Sequence, residues 1–119
     1  AVEGAHDEDS AKTIARAIAN SMLVKTAFFG QDPNWGRIVC AAGYSGVEFD
    51  PAQVGLWLDT VQLVHDGAAA DYREEDAAAV MKQKEFQVRL RVGNGEGSAV
   101  FWTCDLSHDY VSINADYRS

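Results

Sequence analysis

Basic residues are scarce: ten Lys and Arg stand against eighteen Asp and Glu, giving a net charge of −8. The few that occur are scattered from Lys12 to Arg118. A phosphate-backbone partner needs clustered Lys and Arg, so nucleic acid is excluded as the expected ligand. Long apolar runs are also lacking. None approaches the ~20 residues of a membrane-spanning helix, and Ala1 to Asp9 lacks the basic start and apolar stretch of a signal peptide. No membrane partner is expected, and the acidity fits a soluble cytosolic surface. Cysteine is limited to Cys40 and Cys104, far apart and without metal-ligand spacing. Two buried free thiols are the expectation. His6, His65 and His108 are single and widely separated, so no metal site is expected. Repeats, linkers and low-complexity segments are missing too. The 119 residues read as one domain, 1–119.

What is there has clear periodicity in places. Ala11, Ile14, Ala15 and Ile18 recur at helical spacing, predicting an amphipathic helix over 10–21 capped by Asp7 or Asp9. Ala1-Val2-Glu3-Gly4 reads as the tail of a strand. Residues 23–29, apolar apart from Lys25 and Thr26, read as extended. Only two prolines occur, and each follows an aspartate. Asp32-Pro33 predicts a helix start leading to a short buried helix through Ala42, ended by Gly43. Asp50-Pro51 predicts a single turn. Residues 55–64 read as strand, with a slip of alternation at Asp59-Thr60 that marks a bulge or tight turn. His65-Asp66-Gly67 is a turn. Residues 71–82 read as a helix with Asp71, Glu74, Glu75 and Asp76 at the end that favours acids. From Glu85 to Val92 the chain alternates, with Phe86, Val88, Leu90 and Val92 on one side. Gly93 to Gly97 reads as a turn, with 98–104 as the return strand of a hairpin. The expected class is α+β, a mainly antiparallel sheet with helices packed on one side.

Several tempting signals fail on geometry. Ser107-His108-Asp109 has the letters of a hydrolase triad, but sequential neighbours cannot converge as a triad must. Capping by Ser107 is the better use. Gly93 to Gly97 has the glycines of a phosphate loop, but a strand follows instead of a helix. Two segments are harder to explain as scaffolding alone. Lys25 to Ile38 packs Asn34, Trp35 and Arg37 around two glycines and a helix start. Residues 102–119 keep Tyr110, Ile113, Asn114 and Tyr117 close to a terminus, where composition is normally poor, so this end is expected to be docked.

These two segments resemble the Lys-Thr-Ala-x-x-Gly-x-Asp-x-Asn-Trp-Gly-Arg-Ile stretch and the Asp-Leu-Thr/Ser-His-Asp-Tyr-Val-x-Ile-Asn-Ala-x-Tyr-x-Ser/Thr ending of the ornithine acetyltransferases, also called bifunctional glutamate N-acetyltransferases. The likeness extends over essentially all 119 residues. It implies part of a self-processing fold whose precursor cuts itself before a Thr. That Thr opens the β chain and is the nucleophile, with its own α-amino group as base. Acetyl would pass from N-acetylornithine, or from acetyl-CoA in some members, to glutamate through an acetyl-Thr intermediate, with no cofactor.

The resemblance places the nucleophile, the oxyanion donors and a substrate-contacting Glu of a Gly-Glu-Gly-Ala-Thr-type stretch outside this sequence. Glu3 does not match that Glu, and Thr13, Thr26, Thr60 and Thr103 are not nucleophile candidates. No catalytic residue is therefore assigned here. The implied partners are the α chain and the remainder of the β chain. The substrate-binding Asn and the final Ser/Thr of the family match Asn114 and Ser119. An amide can donate and accept, and a hydroxyl or terminal carboxylate can meet an ammonium. Asn34 and Arg37 are added as supports of the active site, from composition and not from the resemblance. Competing readings are a non-catalytic binding or assembly domain of related fold and a self-processing aminopeptidase.

Overall fold

The computed structural model describes residues 1–103. Four helices and six strands follow one another as β1 (Val2–Ala5), α1 (Glu8–Ala19), α2 (Met22–Phe29), α3 (Trp35–Gly43), β2 (Gly55–Leu58), β3 (Val61–His65), β4 (Ala68–Ala69), α4 (Glu74–Met81), β5 (Val88–Arg91) and β6 (Gly97–Ala99). A single 3-10 turn, Pro51–Gln53, precedes β2, and Asp50 caps it as the Asp-Pro pair predicts. The class is α+β, as expected. The sheet runs β4-β3-β2-β5-β1-β6; only the β1–β5 pair is parallel, so pairing is mainly antiparallel.

Register separates the two faces of the sheet. Val2 lies opposite Leu90, Leu90 opposite Leu56, and Leu56 opposite Val64. All four are at most 2% exposed. They form one core with Ala11 and Ile14 of α1, Val24 of α2, Ile38 and Ala42 of α3, and Ala77 and Val80 of α4. The next register positions carry the other face. There Glu3 lies within 3.4 Å of Arg89 and 3.6 Å of Arg91, and the two guanidinium groups sit 4.2 and 5.5 Å from the Trp57 ring. Arg89 Nε approaches Glu3 without the alignment of a hydrogen bond. With both arginines 40–50% exposed, this is a solvent-screened cross-strand ladder of small net value.

Local chemistry explains several boundaries. Asp7 accepts from Ser10 N at 2.7 Å and starts α1, two residues before the expected start. Asp66 and Gly67 have φ of 48° and 80°. An Asp-Gly pair in that conformation makes the two-residue turn joining β3 to β4. Residues 55–64 are two strands, not one: Asp59, at φ 50°, reverses the chain where the alternation slips. α4 begins at Glu74, three residues later than expected, with no side-chain cap on its first turn.

Three expectations are corrected. Residues 22–29 are helical, not extended. Ser21 caps the helix by accepting from Val24 N, and a short apolar run carries no period to tell the two states apart. Cys40 is exposed, not buried; Cys104 lies outside the described residues. The hairpin expected of β5 and β6 is split by β1, which pairs with both. Gly93 to Gly97 therefore gives backbone close approach as well as reversal. A Cβ on Gly95 would meet Ala5 O at 2.0 Å, and one on Gly97 would meet Asp7 O at 2.0 Å. Gly95 N donates to Gly4 O at 3.0 Å.

Candidate functional site

The Lys25–Ile38 motif folds as two helices and a tight link. α2 ends at Gly30, whose N–H returns to Thr26 O. Gln31 takes φ 56°, and Asp32 N closes onto Ala27 O at 2.8 Å. The cap of α3 is Asn34, not the expected Asp32. Its Oδ1 accepts from Arg37 N at 3.1 Å, while its Nδ2 reaches Asp32 Oδ2 at 3.3 Å. Asp32 thus holds the capping side chain instead of capping.

Arg37 Nη1 donates to Leu23 O at 3.0 Å and ties α3 back to the start of α2. Its observed partner is a carbonyl, where a carboxylate would have been the ordinary expectation. Trp35 packs half-buried on the core near Tyr72, which leads into α4. Burial, then the Glu74 carboxylate, push the Tyr72 hydroxyl above its usual pKa. The Trp35 contact offsets part of that rise. Asn34 and Arg37 are therefore brought together, and each has a defined local bond.

Lys25, inside the same motif, is 3% exposed, the buried charged residue of the described core. A lysine inside a mostly apolar octet is the available signal, since a buried ammonium requires compensation. The threonines behave as ordinary helix or loop residues. Thr13 donates to Asp9 O at 2.9 Å, Thr26 to Met22 O at 2.7 Å and Thr103 to Ala19 O at 2.9 Å. Asn114 and Ser119, and the Ser107-His108-Asp109 run, lie outside the described residues.

A broad open groove separates β3–β4 from α4, lined by Gln62, His65, Asp71, Tyr72, Arg73 and Asp76. His65 is occupied at its rim by Asp66, 3.2 Å away, and Arg73 by Glu75 at 3.2 Å. Mixed, exposed charges of this kind set no single ligand class. No group of three or more His, Cys, Asp and Glu suited to a metal is found among the described residues. No helix there is long and apolar enough to cross a membrane.

The helix layer on a mixed sheet, with the Asn-Trp-Gly-Arg motif at the head of α3, defines an α+β unit of the class seen in a solved arginine-biosynthesis enzyme. That structure is the arginine biosynthesis bifunctional protein argJ from Bacillus halodurans. It superimposes with a TM-score of 0.86 at 37% identity, covering 98% of this chain and 55% of that one. The ArgJ family model matches residues 1–119, and the chain belongs to the ArgJ family. The curated ArgJ bifunctional protein of Parasynechococcus marenigrum is 53% identical over 118 residues, and that of Geobacter sulfurreducens 50% identical over 119. Each match takes in 99% of this chain but only 29–30% of the relative. The family resemblance expected from the two motifs therefore holds along the whole chain, and the chain spans under a third of the length of these relatives.

Proposed function

We propose that residues 1–119 are the C-terminal portion of the β chain of an acetyltransferase in arginine biosynthesis. The full-length protein moves acetyl from N-acetylornithine, or acetyl-CoA, to glutamate through an acetyl-Thr intermediate. The observation that supports this reading is the match of the ArgJ family to residues 1–119, at 53% identity to a relative described as bifunctional in arginine biosynthesis. On this reading the nucleophilic Thr and the oxyanion donors come from sequence outside the chain, and the work of this chain is to bind and orient the amino-acid substrate.

Asn114 and Ser119 are the proposed contacts. The Asn114 amide offers both a donor and an acceptor to an α-amino acid, and the Ser119 hydroxyl can accept from the ammonium. α3 supports them: Asn34 and Arg37 fix the link between α2 and α3 through the bonds at Arg37 N and Leu23 O. Donors aimed at the developing oxyanion contribute ~10²–10³ in rate, and a nucleophile contributes more. The 119-residue chain alone should accordingly have no turnover.

The test is transfer of labelled acetyl from N-acetylornithine to glutamate. The full-length, self-cleaved protein should transfer it with ping-pong kinetics and a label transiently held on Thr. The chain alone should not. Transfer by the isolated chain in proportion to its concentration, or a full-length protein that fails with both acetyl donors, would overturn the reading.

A further inference from the structure

We draw no further inference here: the strongest candidate, the outward apolar face of α2 formed by Met22, Leu23 and Phe29, carries nothing, because no contact among the described residues shows what covers it.

Discussion

Replacing Gly95 by Ala adds one methyl group at the point where β1 threads between β5 and β6. That Cβ would sit 2.0 Å from Ala5 O and 2.6 Å from Ala5 C, a full ångström inside the 3.0 Å limit of real Cβ contacts. The obstacle is backbone, so no side chain can swing away. Relief requires β1 and the 93–97 loop to part. That loosens the 3.0 Å bond from Gly95 N to Gly4 O and opens the packing of Val2 and Ala5, now 2% and 3% exposed. Overpacking of this kind costs ~1–3 kcal/mol, and a lost hydrogen bond adds ~0.5–1.5 kcal/mol.

The expected loss is therefore about 2–4 kcal/mol, a large share of the ~5–15 kcal/mol of a typical domain. Thermal and urea denaturation of the 119-residue chain, followed by circular dichroism, would read it as a fall in Tm of roughly 10 °C or more. Gly43→Ala is the matched control. Gly43 is helical, and a Cβ there meets nothing within 4 Å, so the change should stabilise by about 0.4–1 kcal/mol. A Gly95→Ala chain that melts with the unchanged one would refute the threading of β1.

Other perturbations follow from the same contacts. Asn34→Ala should cost ~1 kcal/mol by uncapping α3, while Asn34→Asp should retain most of the stability; both are read by urea denaturation.

The elements most legible in sequence were those set by neighbours a few residues away. α1 shows its period in Ala11, Ile14, Ala15 and Ile18 and its cap in Asp7. The β3–β4 turn shows in Asp66-Gly67, and the 3-10 turn in Asp50-Pro51. α2 was not legible, because an apolar octet fits a buried helix and a buried strand equally well. Nor was the place of β1. Pairing Val2 with Leu90 spans most of the chain, and no local pattern distinguishes glycines that turn a hairpin from glycines that admit a third strand.

At the site, Pro33 drew the cap one residue pair too early. Asn34 takes that role, its Oδ1 accepting from Arg37 N, while the Asp32 carboxylate accepts from Asn34 Nδ2. The family motifs were legible as a resemblance, whereas the bonds of Asn34 and Arg37 required the fold. The burial of Lys25 required it as well.

Substrate contact by Asn114 and Ser119 is the central functional claim, and steady-state kinetics of Asn114→Ala in the full-length protein test it most directly. Losing one polar contact to the ligand costs ~1–3 kcal/mol, roughly ten- to a hundredfold in kcat/KM. The loss should come with Tm nearly unchanged. Wild-type kcat and KM for both N-acetylornithine and glutamate would contradict the claim and leave Asn114 without a part in binding.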